Sequence, residues 1–299
     1  MARRGLLGTL GLIGSSLLLL GACKGKPSPA PVTVGSVSLP APVASSLPID
    51  PKIVSAAVNS NGEPPYAGAT GTIGGVITIS GDPAPDMPEV TRTIPADCAS
   101  AKETYGKLFR EGPNRALADV VVGVTGYSGY VPEDAPAQLA DATGCAWNSR
   151  TYVLTFGQSL DVRSRDSRPY VPDLMGAHLK AQLVAVPRGD AIHLYPEQPG
   201  RYQLTDSMRL FMLADVIVVK FSTHAVSGLD GRFVIPHVPV GKVKLSALLP
   251  ATLVQTEKEV EVHAGELVEV PLTLSFDRKA WDAQRNPGAG SAAPAGSGK

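Results

Sequence analysis

Apolar and polar residues alternate over most of the middle of the chain. Val260 and Val262 alternate with charged residues, and the segment 268–274 repeats the same pattern. Further short apolar or alternating segments lie at 72–79, 120–124, 152–162, 179–185, 192–194, 216–219, 233–235 and 243–245. A period of two, interrupted by Gly and Pro turns, is typical of short half-buried strands. The pattern predicts an all-β fold of one or more Greek-key β-sandwiches.

Two local features complete this prediction. The segment 101–110 is the one helix candidate. His263-Ala264-Gly265-Glu266 predicts a hairpin turn that joins the last two strands, because Gly favours tight turns.

The N-terminus has the order of a targeting segment. Arg3 and Arg4 precede an apolar run at 6–20, which is short for a membrane span and is followed by Leu20-Gly21-Ala22-Cys23. This tetrapeptide resembles the bacterial lipobox, in which the Cys takes a diacylglycerol. The resemblance implies a lipoprotein signal peptide at 1–22 and a lipidated, palmitate-bearing Cys23. The alternatives are an ordinary secretory signal and a buried apolar segment with an incidental Cys.

Composition divides the rest of the chain. Residues 23–70 are rich in Pro, Ala and Ser and lack sustained periodicity, so we interpret them as a tether. Residues 277–299 are mostly Gly, Ala, Ser and Pro and predict a disordered tail. The body between them is predicted to form two successive sandwiches, at 71–218 and 219–276, which are either separate or intertwined.

Charge and cysteine content narrow the classes of partner and compartment. The 27 basic and 27 acidic residues cancel, so nothing suggests a nucleic-acid partner. Once Cys23 is assigned to lipid, Cys98 and Cys145 remain as an even pair in an oxidising compartment, which favours a disulfide over two buried free thiols.

No catalytic or metal-binding motif is evident. His178, His193, His224, His237 and His263 lack ligand spacing, and the chain has no Cys-x-x-Cys and no Gly-x-Ser-x-Gly. We therefore predict a protein that is not an enzyme and has no cofactor. Glu257, Glu259 and Glu261 share one face of a strand, which is typical of a solvated face.

The segment 228–245 carries Asp230-Gly231, then Phe233 and Ile235, then Pro239-Val240-Gly241. It resembles the signature of carboxypeptidase-regulatory-like domains, which are transthyretin-type β-sandwiches. The resemblance implies a tight turn at Asp230-Gly231, inward-facing Phe233 and Ile235, and an opening strand near 71–76.

The segment 144–219 resembles bacterial plastocyanin-like (cupredoxin) proteins, including some associated with methylamine utilisation. Blue-copper sites use two His, one Cys thiolate and often an axial Met. At the matching positions this chain has Tyr170, Asp206, Arg209 and Met212. The resemblance therefore implies a cupredoxin-like scaffold whose metal site has been lost. We expect Arg209 to pair with Asp206 or another carboxylate.

Together these features predict a lipid-anchored protein of the cell envelope with a binding or structural role and no functional copper site. Expected partners are the membrane, through the anchor, and an envelope protein or glycan. Lys24, which follows the lipidated Cys, favours the outer membrane over the inner one. The alternative function is that of a periplasmic copper-binding or electron-transfer cupredoxin.

Overall fold

The computed structural model describes residues 48–178 and 183–285. The predicted signal peptide, Cys23, most of the tether and the end of the tail lie outside these residues. So do four positions, 179–182, of one predicted alternating segment. Among the described residues, no helix combines the length and apolar character needed to cross a membrane.

The described residues form an all-β fold with a few short helices, which confirms the predicted fold class. The strands are β1 (Thr70–Gly81), β2 (Val121–Thr125), β3 (Ala137–Thr143), β4 (Ala146–Trp147), β5 (Thr151–Thr155), β6 (Ser159–Ser164), β7 (Pro172–Met175), β8 (Ile192–Leu194), β9 (Gly200–Asp206), β10 (Arg209–Val219), β11 (His224–Val226), β12 (Arg232–Pro239), β13 (Gly241–Leu249), β14 (Val254–Val262), β15 (Leu267–Glu269) and β16 (Leu272–Phe276). The α-helices are α1 (Pro51–Val58), α2 (Pro88–Thr91), α3 (Ala99–Tyr105) and α4 (Arg278–Arg285).

The first and last of the described strands together build one sandwich, here called the outer sandwich. Its first sheet has the order β12-β1-β15, with β16 also paired to β1, and its second sheet has the order β11-β2-β13-β14. Alternate residues of both sheets, such as Ile73, Val122 and Leu245, are fully buried between them. The apolar positions of the period-two pattern therefore form the buried face of each strand.

The strands between β2 and β11 build a second sandwich, here called the inserted sandwich. Its sheets have the orders β5-β10-β9-β7 and β4-β3-β6-β8. Its core is separate from that of the outer sandwich and includes Trp147, Leu154, Leu204 and Val216. Helices α1 and α3 also contribute residues to the core of this sandwich or pack against it.

The predicted division into 71–218 and 219–276 is therefore wrong, because the strands that begin the first range belong to the sandwich of the second. β1 pairs with β12 and β16, and β2 pairs with β11 and β13, so both early strands belong with the C-terminal ones. The two sandwiches are intertwined along the chain, which settles the alternative left open by the sequence. Period-two patterning could not show this, because it does not specify which strands pair.

Both predicted flanks contain helix within the described residues. Asp50 caps α1 by accepting a hydrogen bond from Lys52 N, and Val54 packs against the core of the inserted sandwich. Asp277 accepts from Ala280 N at the start of α4, whose Trp281 packs on Phe276. Residues 51–58 and 278–285, which the sequence assigned to the tether and the tail, are therefore helical, because each capped helix packs an apolar side chain against a core.

Two other local predictions need correction. The predicted helix at 101–110 is α3, which is shorter and ends before Gly106. The predicted hairpin at 263–266 is wrong, because β14 lies beside β13 and β15 lies beside β1, in the opposite sheet. Pro271, which has no N–H for a sheet ladder, separates β15 from β16 in the predicted single strand.

The segment at 228–245 has the local structure expected of it. Gly231, with φ of +73°, occupies a turn in which its N–H donates to Gly228 O. Phe233 and Ile235 on β12 are buried. Pro239 ends β12, and Gly241, with φ of +113°, begins β13.

Candidate functional site

The four positions that the sequence resemblance aligned with copper ligands lie together in the inserted sandwich. Asp206 ends β9 and Arg209 begins β10, and these two residues face each other in the ladder. Tyr170 lies two residues before the start of β7, and Met212 lies farther along β10. The hairpin and the neighbouring strand thus bring these positions to one end of the sandwich.

Arg209 fills the space among these residues. Its guanidinium carbon lies 4.8 Å from the centre of the Tyr170 ring, in cation–π geometry. Its Nη1 lies 3.4 Å from Asp206 Oδ1 and donates to Pro169 O at 3.1 Å. The pairing of Arg209 with Asp206 that the sequence predicted is therefore present.

Asp206 is held from several sides. Its exposed fraction is 0%, and Oδ2 accepts from Val171 N at 2.7 Å. Oδ1 accepts from Met208 N at 3.0 Å, in addition to the contact with Arg209. A buried carboxylate is tolerated when it is paired and hydrogen-bonded, and here both oxygens have partners.

The hydroxyl of Tyr170 likewise has hydrogen-bond partners within the protein. Its hydroxyl donates to Asp166 Oδ2 at 3.0 Å and accepts from Cys145 N at 3.2 Å. Burial raises the pKa of Tyr170 to about 12, so the phenol stays protonated at physiological pH. Burial alone would raise the pKa of Asp166, but N–H donors from Arg168 and Gly144 lower it below its usual value.

Met212 is fully buried, and its main-chain oxygen accepts from Trp147 Nε1 at 3.3 Å. The four positions thus offer one thioether, one carboxylate, one phenol and one guanidinium, without thiolate or imidazole. Blue copper needs a thiolate and two imidazoles, and a guanidinium cannot act as a ligand. Across residues 48–178 and 183–285, no cluster of three or more His, Cys, Asp or Glu could hold a metal ion.

The predicted disulfide between Cys98 and Cys145 is confirmed. The two Cα atoms are 5.3 Å apart, and both residues are buried. Cys98 directly precedes α3, and Cys145 lies in the turn between β3 and β4. The bridge therefore fastens α3 to the core of the inserted sandwich.

The five histidines are dispersed. His178 and His193 form separate contacts with Glu197 and Asp161, respectively. His263 is exposed, as predicted. His224 and His237 instead line one cleft between the two sandwiches.

The cleft has a volume of about 590 Å³, within the range of small-molecule sites. β5 of the inserted sandwich and β11 of the outer sandwich contribute to its walls. Its lining mixes acidic and apolar side chains and includes Glu133, Asp134, Leu139, Leu229, Pro236 and His237. No sequence motif indicated it, because its residues come from both sandwiches.

One wall of this cleft contains a hydrogen-bonded relay. Thr155 Oγ1 lies 2.6 Å from Glu133 Oε2 and 3.0 Å from His224 Nε2. Burial lowers the pKa of His224 to about 4, so the imidazole is neutral near pH 7. Because the Thr155 hydroxyl donates to the carboxylate, Nε2 of His224 carries the proton and donates to Thr155. The His224–Glu133 contact of 3.7 Å is therefore not a salt bridge at neutral pH.

A buried ionic joint connects the two sandwiches beside the cleft. Asp119 is 4% exposed and accepts from Arg110 Nε at 2.7 Å. It also accepts from Ser149 Oγ at 3.1 Å and from Arg150 N at 2.9 Å. Its φ of +66° is a conformation that Asp adopts more readily than most residues. Arg110 is thus neutralised within the joint.

A second surface is mainly apolar. Met208, Leu210 and Leu213 are exposed beside the β9–β10 turn, and Leu210 is 75% exposed. They line a groove of about 630 Å³ together with Val90 and Phe211. Contiguous exposed apolar side chains are typical of interaction surfaces.

Comparison with solved structures returns amicyanins. A reduced proline-to-phenylalanine mutant is 16% identical over 28% of this chain and 82% of that chain, with a TM-score of 0.24. Amicyanin from Paracoccus versutus (Thiobacillus versutus) is 15% identical over 33% of this chain and 97% of that chain, with a TM-score of 0.26. No protein-family model matches the chain, and no curated protein matches it.

Proposed function

We propose that this chain is a lipid-anchored binding protein of the cell envelope without a functional copper site. The observation that carries the proposal is the closed contact among Tyr170, Asp206 and Arg209. Each of these polar groups already has protein partners. A metal ion would have to displace those hydrogen bonds and approach a fixed positive charge.

The proposed scaffold is a cupredoxin-like inserted sandwich within a carboxypeptidase-regulatory-like outer sandwich. Sequence motifs at 144–219 and 228–245 support this assignment. In this proposal the outer sandwich contains the first and last described strands, and the inserted sandwich contains the former ligand positions.

A non-enzymatic role agrees with the chemistry of the cleft. Thr155 and His224 come nearest to a nucleophile–base pair. However, the buried Thr155 hydroxyl donates to Glu133, while neutral His224 donates to Thr155 rather than withdrawing its proton. A general base must accept the proton of its nucleophile, so this relay is better suited to holding the cleft wall.

Anchoring places the body within reach of a membrane. Residues 24–47 separate Cys23 from the start of the described chain, a span of up to about 80 Å when extended. The proposed partners are an envelope protein or glycan, and the proposed location is the outer membrane. Among the described residues, the cleft and the apolar groove are two surfaces that such a partner could contact.

Changing Cys23→Ser should prevent lipidation. We expect uncleaved precursor or soluble protein in place of a detergent-phase lipoprotein. Serine has no thiol to take the diacylglycerol, so the variant lacks the acyl chains that stable anchoring requires. The measurement combines detergent phase partitioning with the intact mass of the chain. Gly21→Ala is the matched control and should remain lipidated, because it preserves a small residue before Cys23. A Cys23→Ser protein that keeps the mature mass and partitions into detergent would overturn the proposed anchor.

A further inference from the structure

The first part of β10 leaves the regular ladder with β9. The register shifts after Arg209, so residues 210–212 have no counterpart on β9. A bulge of this kind redirects side chains, and here it buries Met212 and leaves Leu210 largely in solvent. Because covering an apolar side chain is favourable, this position suits contact with a ligand.

The bulge contributes to the apolar groove described above. The apolar lining of the groove comes from β10 and α2 and includes Leu210, Phe211, Leu213 and Val90. The ring centres of Phe211 and Tyr105, which also lines the groove, are 6.4 Å apart. A groove of about 630 Å³ with this lining suits the hydrocarbon part of a small ligand.

One arginine of the groove lining has little compensation from the protein. Arg150 directly precedes β5 and is partly buried. Within residues 48–178 and 183–285, its guanidinium makes one hydrogen bond, from Nη1 to Lys107 O at 2.8 Å, and no carboxylate oxygen lies within 4.0 Å of it. A guanidinium has five N–H donors, so several remain for a ligand. Burial lowers the pKa of Arg150 below its usual value, as expected of a cation without a close counter-ion.

The carboxylates near Arg150 have partners of their own. Asp119 and Asp215 are the two acidic residues whose charge acts on Arg150. Asp119 pairs with Arg110, and Asp215 lies 2.7 Å from Arg201. Three guanidinium groups therefore share two carboxylates, which leaves one net positive charge beside the groove.

Two other charged residues line the groove. Arg209 is already paired with Asp206, so this pair adds no net charge. Glu89 is exposed on α2, where water solvates its carboxylate. Water and salt screen an exposed charge more than a partly buried one, so Arg150 sets the preference of the groove for an anion.

From this arrangement we propose that the groove binds a single-chain amphiphile with a carboxylate head group, such as a free fatty acid. The acyl chain contacts Leu210 and Phe211, and the carboxylate accepts paired hydrogen bonds from Arg150. One uncompensated guanidinium balances one negative charge, which favours a carboxylate over a doubly charged phosphate. This ligand is additional to the envelope protein or glycan proposed above, and its binding does not require the lipid anchor.

The direct probes are hexanoate, octanoate and octylammonium, titrated by calorimetry into the full purified protein at neutral pH. A sterol-based detergent has no alkyl chain that would compete for the groove, and a blank titration removes the heat of partitioning. Octanoate should bind about tenfold more tightly than hexanoate, because two more methylenes enter the groove. Octylammonium should bind at least about tenfold more weakly than octanoate, because Arg150 repels it.

Protein variants locate the site. Arg150→Gln removes the charge and should weaken octanoate binding by about tenfold or more. Its matched control is Arg232→Gln, at an exposed arginine of the outer sandwich, which should change binding less than about twofold. Leu210→Ser removes apolar contact and should weaken binding by about fivefold. Leu229→Ser, at an exposed leucine of the cleft, should leave binding within about twofold of the native value.

Equal affinity for octanoate and octylammonium would overturn the proposal, as would the absence of octanoate binding. Loss of binding in Leu229→Ser but not in Leu210→Ser would also overturn it and would assign the ligand to the cleft. A native dimer that Leu210→Ser separates, together with no octanoate binding, would assign the groove to a second copy of the chain. The ligand series decides the question without any variant if Arg150→Gln fails to fold.

Discussion

Asp119→Ala is expected to lower the free energy of unfolding by about 3–5 kcal/mol, because it leaves Arg110 buried without its carboxylate. The change also removes acceptors for Ser149 and Arg150, which connect the inserted sandwich to this residue. Alanine is less tolerant than aspartate of the positive φ at this position. Denaturant unfolding of native and variant chains measures the difference.

The control for this prediction is an exposed ion pair elsewhere in the outer sandwich. Lys244 and Glu257 are 2.6 Å apart, and both side chains are about half exposed. Lys244→Ala should change the free energy of unfolding by less than about 1 kcal/mol. If Asp119→Ala cost no more than this control, the joint would contribute little to stability.

Removing the disulfide with Cys98→Ala and Cys145→Ala together is expected to cost roughly 2–5 kcal/mol. The bridge closes a loop across 47 positions, for which the chain-entropy account gives about 4 kcal/mol. Urea unfolding of the full chain, with and without reductant, provides the measurement. Reductant should lower the stability of the native protein and leave the double variant unchanged.

The disulfide prediction has two contradicting results. One is a double variant with native stability. The other is a native, unreduced protein in which thiol titration detects Cys98 and Cys145 as free groups. Both results would mean that packing alone holds α3 against the inserted sandwich.

Local patterning was sufficient to predict much of the fold. Phe233 and Ile235 lie two residues apart and therefore on one face of a strand, and Asp230-Gly231 provides a turn, so β12 and its buried face follow from short-range chemistry. The contact between Arg209 and Asp206 was also predictable, because a buried carboxylate requires a positively charged or hydrogen-bonding partner nearby.

Pairing between distant segments was not predictable in this way. β1 pairs with β12 and β16, which lie near the other end of the chain, and the register of that pairing cannot be read from a single sequence. The relay of Glu133, Thr155 and His224 likewise joins residues from well-separated parts of the chain. Spacing rules detect sites on one helix or hairpin, and this cleft is formed by tertiary contact between two sandwiches.

Copper analysis of the purified full chain tests the central claim most directly. Copper(II) or copper(I) is added, excess metal is removed, and bound copper and visible absorption are measured. We expect no stoichiometric copper and no intense blue band, because Tyr170, Asp206 and Arg209 offer neither a thiolate nor an imidazole and contact one another. Chelators should also leave the melting temperature unchanged. One tightly held copper per chain, lost when Met212 is replaced, would contradict this account.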